Sequence, residues 1–528
     1  MGKFLRRHWM LWVALTAVIV LRLPSLWEPL WYDDEAISLV VGQQLGFGKL
    51  LYAQIHDNKP PLLYWFSALA VDLVWLKAIL LVWMLGTTAG FYGLVRRVVE
   101  RYMEWRRAEK EAGEGRDPKS SKVNREVYVN VYKELHWNQW LVGMSLAIFV
   151  LFTSIPKWEG NIANGEIFMI GLGIGAMWLF LSDRWKQDWL RLMVSGGLIA
   201  CASLFKLPAA VDLVVLGWFV VLMSGVRWSW NQALKQLLAL SGGFLLIHGL
   251  VFGWFGLHGT LGDYWAAAWL QNFGYLASWS ANTRVAESSL DTSSDLMIRG
   301  AWVLGFTGVL WLIRKQVNPV LLLIGLWWGY SLFAALLSER PYPHYLLQIV
   351  PAMALGLGMV VWLRKYLEQV MVIGLLLVTI WGIRVVDFWK YESRAYYDNF
   401  VAYATGRKDL AEYRSYFWAE MNDTYATEEY LSGKGADDEP IFVWSNKSAV
   451  MALGHHPAIT KYVVAYHVDD FVGYELTMDQ LEAAPPRYIV HVGRPEYYFP
   501  ELEDFTNENY AVVWNRGIHT VYEQQLGD

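Results

Sequence analysis

Long apolar runs separated by short charged clusters fill the first 390 residues, and the last 138 are polar with short alternating stretches. The first run, WMLWVALTAVIVL within 8–22, follows a basic start of Lys3, Arg6 and Arg7. It leads into a proline, two tryptophans and an acidic cluster, with no small-residue cleavage site, so it reads as an uncleaved span with its N-terminus inside. Further apolar segments lie near 77–98, 138–153, 165–182, 192–205, 208–224, 234–254, 299–313, 319–337, 344–362 and 368–386. Several are 14 to 18 residues long, short of the roughly 20 that cross a hydrocarbon core. Flanking Lys and Trp side chains extend such segments by snorkelling.

Charge sets the sidedness. Residues 96–136 carry 11 Lys or Arg against 8 Asp or Glu, so the loop 99–136 belongs on the cytoplasmic side. Within 60–98, two crossings would put Arg96 and Arg97 outside. We therefore read 61–75 as a helix in the outer interface and 77–98 as the crossing. The basic groups Arg184, Lys186 and Arg191, Arg227 and Lys235, Arg314 and Lys315, and Arg364 and Lys365 then all fall inside. The connections 23–60, 154–164, 255–298 and 338–343 face outward. This gives a polytopic α-helical membrane protein of about eleven spans, within a range of 10–13, in a unit spanning 1–390.

The remainder, 391–528, carries turn signals such as SGKGADDEP and APP, with β-type runs at 440–445, 461–466, 487–492, 510–514 and 520–522. It reads as an extracytoplasmic mixed α/β domain. No cluster in it suggests chemistry, and stability, acceptor docking or partner binding is its expected role.

Composition narrows the class without changing this picture. Hydrophobic residues are 55% and charged residues 18%, with 31 Trp, 29 Tyr and 23 Phe, which excludes disorder and a soluble secreted scaffold. The one cysteine, Cys201, cannot form an internal disulfide or a thiolate metal cluster. A net charge of -5 gives no reason to expect a nucleic-acid partner.

Polar residues beside spans are costly, and here they gather on one side. The first outer loop holds Asp33, Asp34 and Glu35 in a row, then His56, Asp57, Asn58 and Lys59 before Pro60 and Pro61. Three more clusters share that side: Lys157, Glu159, Asn161, Asn164 and Glu166; Lys206 before Pro208; and Glu339, Arg340, His344, Tyr345 and Gln348. A carboxylate can accept a proton from an attacking hydroxyl, and a lysine can neutralise a departing phosphate. A solvated loop with interface tryptophans is the plainer reading of each cluster taken alone.

The motifs DEA at Asp34–Ala36, NKPPLLYW at Asn58–Trp65 and RPYPHYLLQIVPAMAL at Arg340–Leu355 resemble those of bacterial GT-C glycosyltransferases of the protein-mannosyltransferase-like superfamily, the aminoarabinose-transferase branch in particular. The resemblance covers roughly 1–390. It implies a GT-C fold and transfer of a sugar from a polyprenyl-phosphate carrier to a lipid, cell-envelope glycan or protein hydroxyl at the extracytoplasmic face, with inversion. Asp34 is then the base with Glu35 beside it, and Asp33 competes for that role through a one-residue register shift. Lys59, Lys206, Arg340, His344 and Tyr345, with His56, Asn58 and Glu166, become the candidate residues for the donor phosphate and sugar. Some relatives bind a divalent metal near the acids, and no ligand set here decides the matter. The expected location is a prokaryotic plasma (inner) membrane, with membrane lipids as surroundings. Alternatives are an oligosaccharide ligase using a pyrophosphate-linked lipid and a polytopic transporter. A transporter would favour polar groups near the midplane rather than at one face. Sugar, acceptor and carrier length are not readable from the residues.

Overall fold

The computed structural model describes residues 8–113, 125–182, 188–272, 291–337, 340–493 and 497–525, so part of the predicted loops 99–136 and 255–298 lies outside the described residues. Every apolar segment singled out by the sequence is helical. The helices run Trp9–Arg22, Leu73–Gly113, Arg125–Ser154, Gly165–Leu181, Asp188–Ser203, Val211–Met223, Trp230–Leu257, Asp291–Ile313 and Pro319–Ala335. A 3-10 turn at Pro343–Ile349 leads into Val350–Met359, and Tyr366–Val386 closes the set. Among the described residues, five helical stretches are long and apolar enough to cross a membrane: Trp9–Trp27, Leu73–Arg107, Trp230–Leu257, Pro343–Trp362 and Tyr366–Val386. Five shorter apolar helices accompany them. Val82, Leu245, Leu250, Trp302, Leu312, Leu377 and Trp381 point outward and are exposed, an arrangement that needs hydrocarbon around it. The protein is therefore a polytopic helical membrane protein. The helix after the paired prolines, Pro61–Ser67, is shorter than the predicted 61–75, and Trp75 already belongs to the long Leu73–Gly113 helix.

Two of these helices touch backbone to backbone. A methyl group on Gly196 would lie 1.9 Å from the Leu240 carbonyl oxygen, and one on Gly243 would lie 1.8 Å from that of Met193. In lipid, where apolar side chains gain little by leaving their surroundings, such close approach is what holds helices together.

The C-terminal domain carries a four-stranded sheet, β1 (Ile441–Trp444), β2 (Tyr488–Val492), β3 (Tyr510–Arg516) and β4 (His519–Gln524), in the order β1-β2-β4-β3. β1 and β2 are parallel and the other pairs antiparallel. Alternation divides its faces. Ile441, Val443, Tyr488, Val490 and Val521 join one continuous core with the membrane helices, while Phe442, Trp444, Ile489 and Tyr510 pack with Phe499 and Leu502 on the far side. The mixed α/β reading of this domain stands, with one correction. The run at 461–466 is not a strand: its backbone bends and enters the helix Ala465–Asp470. Its apolar residues Val463 and Val464 are buried by packing on the shared core, and burial without a neighbouring strand does not make a ladder.

Gly243→Val is expected to lower stability by about 3 kcal/mol, the upper end of overpacking costs, whereas Gly242→Ala, with open space around it, should change little. The midpoint of reversible SDS unfolding for the two variants checks this.

Candidate functional site

The site is built first on the helix Asp33–Gly46, which Tyr32 enters from extended backbone. Its first turn holds all three acids, a placement favoured by the positive end of the helix dipole. Because successive helical residues are about 100° apart, the three carboxylates point three ways. Asp33 receives the Lys447 ammonium, 2.8 Å from each oxygen, from the C-terminal domain. Glu35 is buried; its carboxylate lies 2.7 Å from Lys77 Nζ and accepts the Ala163 N–H at 2.6 Å. Lys77 is also 3.0 Å from Glu28, which accepts from Asn161 Nδ2 at 2.7 Å. Asp34 is one-third exposed at its side chain, with Lys59 Nζ 3.4 Å from its Oδ1, whereas Asp33, though 47% exposed, has both its oxygens tied to Lys447.

Lys59 is held from behind. Asp57, buried, lies 3.4 Å from the same ammonium and accepts the Asn58 N–H at 2.7 Å. The Tyr52 hydroxyl donates to the Lys59 carbonyl at 2.7 Å, and the Lys59 N–H donates to the Tyr64 hydroxyl at 3.2 Å. Pro60 caps the Pro61–Ser67 helix with Pro61 in its first turn, so the chain turns into the helix immediately after the lysine. The Asn58 carbonyl accepts from Asn272 Nδ2 at 2.7 Å.

A third wall comes from the turn Pro156–Trp158, the helix Gly165–Leu181 and the Pro343–Ile349 turn. A methyl on Gly165 would lie 2.6 Å from the Phe205 carbonyl oxygen, and this close approach brings Glu166 to 3.1 Å from Lys206 Nζ. Lys206 also lies 5.2 Å from the Tyr345 ring centre, a cation-over-ring contact. His344 Nε2 is 3.9 Å from Glu166, and its Nδ1 is bonded to Glu159. The His344 N–H and the Tyr32 hydroxyl each donate to Glu159 at 3.2 Å. Glu159 holds a left-handed backbone, φ 54°, which a non-glycine residue keeps only when its surroundings fix it.

The charges sort the acids. Loss of water pushes the Asp34 carboxyl up, but Lys59, His344 and Lys206 outweigh that and Asp57's opposition, leaving it below its ordinary value. Burial raises Asp33 in spite of Lys447. Asp57 is drawn well down: burial would raise it, and Lys59, His467, the Tyr64 hydroxyl and the Asn58 N–H together win.

The structure thus brings Asp34, Lys59, Lys206, His344, Tyr345 and Glu166 into one electrostatic unit. It does not bring in the others as expected. Glu35 serves the buried Lys77 cluster and Asp33 faces the C-terminal domain. Arg340 acts on Asp470 of that domain. The His56 ring packs 4.4 Å from Phe471 and 5.3 Å from Tyr462, and burial holds its pKa down to about 3. Asn58 enters through its backbone. Of the residues that sequence reasoning passed over, Lys77 left a signal, a lysine inside an apolar run that must have a carboxylate partner. Lys447 and His467 left none.

Asp34 faces Lys59, Glu166 faces Lys206, and among the described residues no group of three or more His, Cys, Asp or Glu side chains is placed to hold a divalent metal.

No family model matches the chain, and no curated protein does. Among solved structures it is similar to the archaeal oligosaccharyltransferase AglB from Archaeoglobus fulgidus in complex with an inhibitory peptide and a dolichol-phosphate, at 12% identity over 99% of this chain and 75% of that one, with a TM-score of 0.45. The oligosaccharyltransferase of the same organism tethered with an acceptor peptide is 12% identical, over 93% of this chain and 70% of that one, with a TM-score of 0.42. In complex with Zn and sulfate it is 14% identical, over 92% and 68%, with a TM-score of 0.38. Likeness at this level assigns no residue a role, and the chemistry below is argued from the chain's own side chains.

Lys77→Met leaves two carboxylates in a buried space with no cation. It should cost about 3–5 kcal/mol, the range for breaking a buried pair, read as a lowered thermal midpoint of the purified protein in detergent.

Proposed function

We propose that the chain is a membrane glycosyltransferase that moves a sugar from a polyprenyl-phosphate carrier to a hydroxyl of a lipid, cell-envelope glycan or protein. The reaction takes place at the extracytoplasmic face of a prokaryotic plasma membrane. The observation that carries this reading is the open Asp34 carboxylate set against Lys59 and within the field of Lys206, on the side of the helical unit where the C-terminal domain packs. An acceptor oxygen attacks the anomeric carbon while the carbon–phosphate oxygen bond breaks. The acceptor's proton passes to Asp34, and the phosphate leaves with the bonding pair. Attack from the face opposite the phosphate inverts the centre.

Asp34 is a weak base, and that suits a late proton transfer, because the acceptor hydroxyl becomes acidic only as its bond to carbon forms. The two lysines supply what the reaction most needs, positive charge where negative charge grows. They come from different elements: Lys59 is fixed by Asp57, and Lys206 is placed by Glu166 and Tyr345. Glu159 orients His344 and Tyr32 around the same space.

A second reading keeps the same acid and lysines and changes the donor to an oligosaccharide on a pyrophosphate-linked lipid. The names of the structurally similar proteins, oligosaccharyltransferases, accord with it. Two lysines reaching one acid can meet either a phosphate or a pyrophosphate, so the donor has to be decided by supplying both.

Purified protein in nanodiscs, given labelled polyprenyl-phosphate sugars and pyrophosphate-linked glycans with a membrane-lipid and glycan extract, should label an acceptor. Asp34→Asn should reduce that transfer by about 10²- to 10⁴-fold; undiminished turnover would remove Asp34 as the base. Because Asp34 sits below its ordinary 3.8, the base stays ionised as pH falls through that value. The acid limb it sets in kcat/KM should therefore lie lower still. Lys59→Met removes a cation from beside it and should move that limb to higher pH.

A further inference from the structure

The C-terminal domain places a buried histidine behind the site. His467, in the helix Ala465–Asp470, is fully buried, and its Nε2 is 3.5 Å from Asp57 Oδ1. The other Asp57 oxygen is 3.4 Å from Lys59 Nζ, which is 3.4 Å from Asp34. Exposure rises along this series, from 0% at the His467 side chain and 1% at Asp57 to 12% at Lys59 and 34% at Asp34. A charge path thus runs from the core of one domain to the open edge of the other. Neither ring nitrogen of His467 makes a hydrogen bond among the described residues, and Asp57 is the carboxylate its Nε2 approaches.

Resting on the reading of this site as a transferase, we propose that His467 is a positioning residue of the reaction: it partners Asp57, and so sets how firmly Asp57 holds Lys59 back from the donor phosphate. Lys59 is shared between two carboxylates, one closed and one open. An arriving phosphate must draw the ammonium towards itself against the pull of Asp57. The more of the Asp57 charge that is met by other donors, the weaker that pull. The Asn58 N–H on Oδ1 and Tyr64 meet part of it, and a proton on His467 Nε2, 3.5 Å from that same Oδ1, meets more through the field of its N–H dipole and not through a formed hydrogen bond.

The groups facing His467 are Asp57, Lys59 and Asp34, with the rings of His56 at 5.2 Å and Tyr466 at 4.3 Å. Burial lowers its pKa to about 4 in spite of the carboxylates, so it faces Asp57 as a neutral ring in ordinary conditions.

The test uses the full-length protein and two readouts. The first needs no substrate: the rate at which acetic anhydride modifies Lys59, followed by peptide mass spectrometry. In His467→Phe, which keeps a ring and loses the donor, Asp57 should grip the ammonium harder. Lys59 modification should slow by about 3- to 10-fold, the size of a coupling through one shared group. His467→Gln, which keeps a donor, should restore it. In an Asp57→Asn background, His467→Phe should change nothing further. An equal effect of His467→Phe with and without Asp57, or no effect at all, overturns the proposal. The second readout is transfer: His467→Phe should raise the donor KM by the same factor with little change in kcat. If wild-type protein transfers from no lipid-phosphate donor, the transferase reading fails, and the first readout still decides whether His467 governs Lys59.

Discussion

A single buried ammonium fixes the geometry on which the rest depends. Lys77 sits at the start of a long apolar helix, with no exposed side chain, between Glu28 and Glu35 and against the Asn161 carbonyl. A charge so placed is tolerable only if its partners are fixed. Here the partners come from the first loop, from the next helix and from the connection after the Arg125–Ser154 helix. The Tyr396 hydroxyl, beyond the last long apolar helix, closes the cluster on Glu28. Four regions of the chain, around residues 28–35, 77, 161 and 396, are thus pinned at one point. The pin also fixes the rotation of the Asp33–Gly46 helix. With Glu35 turned inward onto Lys77, helical geometry sends Asp34 to the open side and Asp33 to the C-terminal domain.

That rotation explains why the three acids could be found in the sequence and not told apart there. Spacing shows that DDE opens a helix beside the membrane; it does not show where the cations stand. Each acid's role is set by a lysine from elsewhere, at positions 447, 59 and 77. Lys59 was readable because it lies before paired prolines in the same loop. Lys77 was visible as an oddity in an apolar run. Lys447 belongs to a domain whose surface lysines look alike until the fold is known.

The helices were legible for a different reason. An apolar run of sufficient length has one good solution in lipid, whereas alternating apolar runs in the C-terminal domain have several. VVAY at 463–466 has β-type composition and is buried, yet the chain turns into a helix there. The Ala465 N–H donates to the Ser445 carbonyl just past the end of β1, at 2.9 Å, and no ladder with β1 forms among the described residues. The composition signals a β-type run, and pairing decides whether it becomes a strand.

The two faces of the sheet bear on how the site is assembled. A domain that merely docks an acceptor would meet the membrane unit through a polar, separable surface. Here the inner face of the sheet continues the membrane core through Ile441, Val443 and Val490. Polar bonds flank that continuity: Gln44 donates to the His456 carbonyl at 3.0 Å and accepts the Ala458 N–H at 2.8 Å, and Gln43 donates to the Ala452 carbonyl at 2.9 Å. Both glutamines belong to the helix that begins at Asp33. Thus the helix that presents Asp34 is held at its start by Lys77 and Lys447, and near its end by the C-terminal domain. Lifting that domain away would strip partners from Asp33 and Asp57 together, so the last 138 residues form a wall of the site and not an accessory to it.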